Sequence, residues 1–182
     1  MKAPNELLRD SEERLNKALS DFESPPTSSL AKEFYELRVQ AAVFNYDISY
    51  DMVAIWQSTP SGFAEKVALK NLIHKLYEYD QLMQKHLVIR MLTLARARHI
   101  DIESKDIKAE RKKWSKQLVR LDAWSDLRNQ ATGHYGKNVT EQITLLKQIN
   151  RKEVMDVVSA FLSYNIAILK VLAYAGQGKV ET

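Results

Sequence analysis

The sequence predicts an all-α fold, an up-and-down helical bundle of four to five helices. Three observations point there. The chain of 182 residues holds only four prolines and five glycines. Its apolar residues recur at helical spacing, and no series of short alternating strands punctuated by Gly or Pro interrupts them. The strong helix formers (Leu, Ala, Lys, Glu, Gln and Arg) are plentiful. This length suits one domain with a real core and is short for two. We therefore read 1–182 as a single helical domain, with 1–26 an N-terminal helix and linker and 27–182 the bundle.

The first helix is expected over 5–22, with Leu7, Leu8, Leu15, Ala18 and Leu19 on its apolar face. The segment Glu23-Ser24-Pro25-Pro26-Thr27-Ser28-Ser29 breaks it and ends on residues suited to an N-cap. A long helix follows over 30–57. Thr59-Pro60-Ser61 reads as a cap with proline at the first helical position, opening a third helix over 62–98. Its apolar series runs through Val67, Leu72, Ile73, Leu76, Leu82, Leu87, Met91 and Leu94. The segment 99–104 closes a hairpin onto a fourth helix over 105–131. The stretch 133–148 reads as irregular, with a short extended piece at Ile143-Thr144-Leu145-Leu146. Asn150 caps a last helix over 151–174, which Gly176 ends. The first helix could be an added arm or a swapped element.

Composition also bounds function. No cysteine is present, so a disulfide scaffold, a thiolate zinc site and a Cys nucleophile are excluded. The N-terminal residues lack an apolar core and carry several acids, so no signal peptide is expected and the chain reads as cytoplasmic. The net charge of +4 and pI near 9.1 permit an RNA or DNA partner without demanding one. The apolar stretch 157–175 approaches the length of a bilayer crossing, but it contains Asn165 and Lys170. A central Lys costs about 2.5–3.5 kcal/mol on insertion scales, so no membrane partner is expected. A core or dimer-interface helix is the reading, and its near-continuous apolar surface suggests a homodimer.

No P-loop, dinucleotide fingerprint, zincin helix or nucleophile elbow occurs. No Glu-x-x-His pair occurs either, which disfavours a di-iron bundle. No cofactor and no metal are expected. His74, His86 and His99 read as structural, and Tyr46, Tyr50 and Trp56 as core aromatics rather than an aromatic groove.

The chemistry concentrates in Leu127-Arg128-Asn129-Gln130-Ala131-Thr132-Gly133-His134-Tyr135-Gly136-Lys137-Asn138. An arginine can hold a phosphate through its planar fork, and a histidine can move a proton near neutral pH. On a wheel of the fourth helix, Ile107, Trp114, Leu118, Leu121 and Ser125 share one sector. Lys105, Lys108, Lys112 and Lys116 form a stripe on the other side. That stripe is either a solvated face or a track for nucleic-acid backbone leading to Arg128. Arg128 falls about 40° from Trp114, inside the apolar sector, while His134 lies about 240° further round. The two converge only if Gly133 turns the chain or a second subunit completes the cleft.

Arg128-Asn129-Gln130-Ala131-Thr132-Gly133-His134 resembles the signature of HEPN-domain proteins, an arginine with a polar follower and then a histidine a few positions on. The resemblance covers about a dozen residues closely and the rest in outline. It implies an all-α bundle that pairs with a second copy across a shared cleft. It further implies a metal-independent endoribonuclease of toxin–antitoxin, phage-defence or RNA-processing systems, with RNA as substrate and an antitoxin protein as partner in the toxin case. Arg128 would stabilise the charged transition state, His134 would act as general acid or base, and Asn129 would orient one of them. Lys112, Lys116 and Lys137 would bind substrate backbone. Tyr135 follows the histidine directly, whereas one branch of the family has tyrosine two positions after it, so that tyrosine's role is not carried over. Some members are inactive, which leaves a non-enzymatic module for protein or nucleic-acid interaction on the same scaffold as the alternative.

Overall fold

A computed structural model describes residues 4–24, 28–125, 127 and 139–177, and the described residues contain no strand. The elements are α1 (Pro4–Glu23), α2 (Ser29–Ser58), α3 (Gly62–Leu82), a π turn (Met83–Leu87), α4 (Val88–Ala97), α5 (Ser104–Lys112), α6 (Ser115–Ala123), α7 (Val139–Lys147) and α8 (Arg151–Gln177). The backbone stays right-handed helical from α3 through the π turn into α4. Counting α3–α4 as one, the described residues therefore form seven helices rather than four to five.

Local chemistry explains the first boundaries. The Ser28 side chain accepts a hydrogen bond from the Ala31 N–H at 3.1 Å, satisfying one of the free donors of the α2 N-terminus. Asn150 does the same for α8, accepting from the Glu153 N–H at 3.1 Å. Between α2 and α3, Thr59 takes a left-handed conformation (φ 43°) and so does Gly62 (φ 59°). α3 begins at Gly62, so Pro60 sits before the helix and not at its first position. His99, also left-handed at φ 55°, closes α4.

Contacts along the rods fix their directions. Gln57 donates to Asn5 at 3.3 Å near one end of the α1–α2 pair. At the other end the Arg38 guanidinium donates to Asp21 and Lys32 lies over the Phe22 ring, so α1 and α2 are antiparallel. Burial works to raise the Asp21 pKa, but the hydrogen bonds from Arg38 and Lys17 outweigh it and hold the carboxyl below its ordinary value. Lys75 bridges Asp47 and Asp51 at 2.8 Å each, and Arg90 reaches Glu33 and Glu36 at 3.1 and 2.7 Å. The α3–α4 rod is therefore antiparallel to α2. Arg111 pairs with Asp80 and Arg120 with Glu153, while Lys66 donates to the Ile149 carbonyl and Arg98 to the Ala175 carbonyl. The α5–α6 rod thus runs down and α8 runs up beside α3–α4. α7 is a short extra helix leading into α8.

The core lies between α2, α3–α4 and α8, with Phe34, Ile48, Leu72, Leu76, Met91, Phe161, Tyr164 and Leu172 wholly buried. By length and composition alone α8 is apolar enough to cross a membrane. Here Val154, Val158, Phe161, Ile168 and Leu172 pack into the core, so the apolar surface that suggested a dimer is used within the chain. Asn165 is sealed between helices and donates to the Ala41 carbonyl at 2.8 Å. Gly176 does not end α8, which continues to Gln177. A Cβ there would lie 2.7 Å from the Tyr35 ring, so this glycine permits close packing.

Three further expectations need correction. The fourth helix is not continuous over 105–131: it breaks at Lys113 and Trp114, and α6 ends at Ala123. The Lys113 and Trp114 N–H groups bond back only three residues, to Glu110 and Arg111, and this tightening lets Trp114 pack on the core while Arg111 reaches Asp80. The expected extended piece at 143–146 is part of helix α7, whose Leu146 is buried. Tyr50 and Trp56 are not core, being 54% and 60% exposed, because the buried face of α2 runs through Phe34, Leu37, Ala41, Phe44 and Ile48.

Candidate functional site

Lys108, Arg111, Lys112 and Ser115 recur at the spacing of one helix face, and the break at Lys113–Trp114 falls inside that run. They line an open groove of about 330 Å³ together with Leu118, Val119 and Asp122. A second groove, of about 570 Å³, lies on the other side of Val119, lined by Lys116, Arg120, Lys152, Asn150, Glu153 and Asp156 among others. Val119 is 58% exposed on the ridge between them.

Arg111 belongs to both the core and the groove. Its Nη1 and Nη2 donate to Asp80 Oδ1 and Oδ2 at 2.6 and 2.9 Å, a bidentate pair, and Asp80 is only 2% exposed. The guanidinium carbon lies 5.5 Å from the centre of the Tyr164 ring, within cation–π range. Burial disfavours the charged guanidinium, but the Asp80 hydrogen bonds more than offset this and hold its pKa above the ordinary value. Burial keeps the Tyr164 phenol neutral, its pKa raised despite the hydrogen bond from Gln84 and the charge of Arg111. Asp80 sits one turn before the π turn, and Gln84 within it reaches Tyr164 at 3.4 Å. A buried polar cluster therefore fixes Arg111 from beneath.

The other cations differ. Arg120 is held by Glu153 at 2.8 Å. Lys108, Lys112, Lys116 and Lys152 make no hydrogen bond or ion pair with the described residues. Two exposed carboxylates, Asp122 and Asp156, face these four lysines from the groove walls without a lysine pair. An excess of unpaired ammonium groups along two grooves attracts a polyanion.

The expected site residues divide into two sets. Lys112 and Lys116 are exposed and fall on the two grooves, one on each side of Val119. Lys105 is drawn aside by Glu103 at 3.0 Å and lines neither groove. Arg128, Asn129, His134 and Lys137 lie outside the described residues, as does the turn expected at Gly133. The wheel position of Arg128 relative to Trp114 loses its basis, since no continuous helix joins them. Leu127, the residue before the motif, is helical and buried in the core.

Arg111, Ser115, Asp122, Arg120 and Lys152 were not singled out from the sequence. The i, i+3, i+4, i+7 pattern of Lys108, Arg111, Lys112 and Ser115 could have shown the first groove. Lys152 joins from another helix, which no local pattern reveals. Compared with known proteins, the chain matches no family model, no curated protein and no solved structure.

Proposed function

We propose that this chain is an RNA-binding helical protein whose Arg128, Asn129 and His134 form a metal-independent endoribonuclease centre of the HEPN type. The basic face of the broken fourth rod carries the proposal. Four lysines without a partner among the described residues line grooves beside α6, and α6 leads to Leu127, next to the motif. The motif supplies the chemistry, with RNA backbone as the anion those lysines attract.

The steps follow from the residue types. His134 takes the proton of a ribose 2′-hydroxyl, which attacks the adjacent phosphorus. The 5′-oxygen leaves and receives a proton, giving a 2′,3′-cyclic phosphate and a 5′-hydroxyl end. A histidine with an ordinary pKa near 6.5 holds both protonation states near neutrality. Arg128 meets the charge developing on the phosphate oxygens with its donor fork. Asn129 orients His134 or the phosphate, and Lys137 adds a backbone contact. The enzyme would act in the cytosol as a homodimer, in a toxin or defence system with an antitoxin as its protein partner. Since α8 buries its apolar face internally, such a dimer uses another surface.

The test is RNA incubated in EDTA with the wild-type chain, Arg128→Ala and His134→Ala. Cleavage with cyclic-phosphate ends is expected from the wild type, falling by about 10²–10⁴-fold without the histidine. Equal cleavage by all three, or none by the wild type, overturns the proposal. A non-enzymatic nucleic-acid-binding module is the second reading, favoured by grooves that do not depend on the motif. It predicts binding without cleavage.

A further inference from the structure

The groove at the α5–α6 junction is built from two chemically different parts. Lys108, Arg111, Lys112 and the Ser115 hydroxyl supply donors, and the exposed Val119, backed by the buried Leu118, supplies an apolar wall. Asp122 stands in the same groove as an acceptor. It is close enough for its charge to act on Arg111, yet the Arg111 fork is committed to Asp80. Asp80 takes two of the five guanidinium N–H donors of Arg111, and the side chain keeps a 28% exposed edge on the groove.

A bare phosphate gains from the cations but is repelled by Asp122. A ribonucleotide unit satisfies both, with its phosphate on the donors and its ribose against Val119. Its hydroxyls then donate to the Asp122 carboxylate. The volume of about 330 Å³ lies at the low end of small-ligand clefts, which suits one such unit of a chain and not a duplex. The 2′-hydroxyl is the group by which a site distinguishes RNA from DNA.

We infer that this groove is a ribonucleotide subsite in which Lys108 and Lys112 hold a backbone phosphate and Asp122 reads the ribose 2′-hydroxyl. Arg111, anchored on Asp80, is the fixed floor against which the phosphate registers. The inference rests on the proposal that the chain binds RNA, and it assigns selection for single-stranded RNA to a place separate from the Arg128–His134 motif.

The experiment measures binding of oligouridylate and of its 2′-deoxy counterpart in EDTA. The chain carries His134→Ala throughout, so that the strand stays intact. Against this background, Lys108→Ala with Lys112→Ala weakens both oligonucleotides and lowers the slope of log affinity against log salt by about 0.7, the share of the one phosphate the two lysines hold on a single strand. Asp122→Ala removes a preference for RNA of about tenfold or more, the size expected of a charge-assisted hydrogen bond, while binding of the deoxy strand holds or improves. These three side chains are exposed, so the variants retain the fold.

Binding indifferent to Lys108 and Lys112 overturns the subsite, as does failure to bind either oligonucleotide. An Asp122→Ala variant that changes both affinities by one factor overturns it too, because the carboxylate then acts only through its charge. Cleavage by the unsubstituted chain is read separately. RNA bound as inferred but left uncut removes the catalytic proposal alone. RNA cut by a chain whose binding ignores these three residues removes the subsite alone.

Discussion

Asp80 takes its charge out of water, and Arg111 answers both of its oxygens. Removing one member of a buried pair leaves the other short of partners and costs about 3–5 kcal/mol, whereas an apolar replacement of both is often tolerated. Arg111 keeps a solvent-facing edge, so Asp80→Ala is expected near the lower limit, about 3 kcal/mol. Asp80→Leu combined with Arg111→Met should cost less than either single change, a coupling that double-mutant analysis isolates. Urea unfolding checks both, and an Asp80→Ala midpoint unchanged from wild type would show that the pair contributes nothing. Since Arg111 is also the groove floor, the stable double variant should still lose nucleic-acid affinity.

At the level of elements, the π turn sets how the two halves of the long third rod face the core. The Val88 N–H bonds to the Met83 carbonyl, five residues back, which holds one residue more than an α turn. Deleting the exposed Lys85 removes the residue that the turn absorbs, and four α residues turn through nearly the same angle as five π residues. Met91 and Leu94, now buried, would then keep the face shared with Leu72 and Leu76. We expect thermal unfolding to stay cooperative, and its loss would mean that the wide turn itself is needed for packing. None of this was visible beforehand, because helical spacing tolerates one extra residue. What the sequence did announce, it announced through side chains acting on their own backbone. Ser28 and Asn150 mark helix starts to within a residue or two. The Lys113–Trp114 break has no Gly or Pro to signal it, because a pairing 31 residues away, between Arg111 and Asp80, draws the chain there. α7 was misread for a related reason. Val139, Thr140, Ile143 and Thr144 are β-branched, and burial of Leu146 against the bundle overrides their local preference. For the site, only Lys108 and Lys112 of the expected stripe line one groove, since Lys105 pairs with Glu103 and Lys116 falls on the second groove, and Arg111 and Asp122 acquire meaning only from the folded groove.

Over the whole molecule, α2 is the shared wall, with α1, α3–α4 and α8 running antiparallel along it. Two of these partners follow from neighbouring stretches of chain, as in the α1–α2 hairpin pinned by Arg38 and Asp21. The third does not: Asn165 meets the Ala41 carbonyl across 124 residues. Closing so long a loop costs more chain entropy before any contact forms, and local contacts form sooner. The antiparallel arrangement around α2 therefore contains an order in time. We expect the hairpins of α1, α2 and α3 to assemble first and α8 to dock last into the trough they leave. Asn165→Ala should consequently speed unfolding while leaving the folding rate nearly unchanged, as at a position formed after the transition state. Stopped-flow chevrons would show this as a displaced unfolding limb, and a slowed folding limb would place α8 in the nucleus instead. A chain still being synthesised, with α8 not yet available, would present α2's buried face to other molecules during that interval.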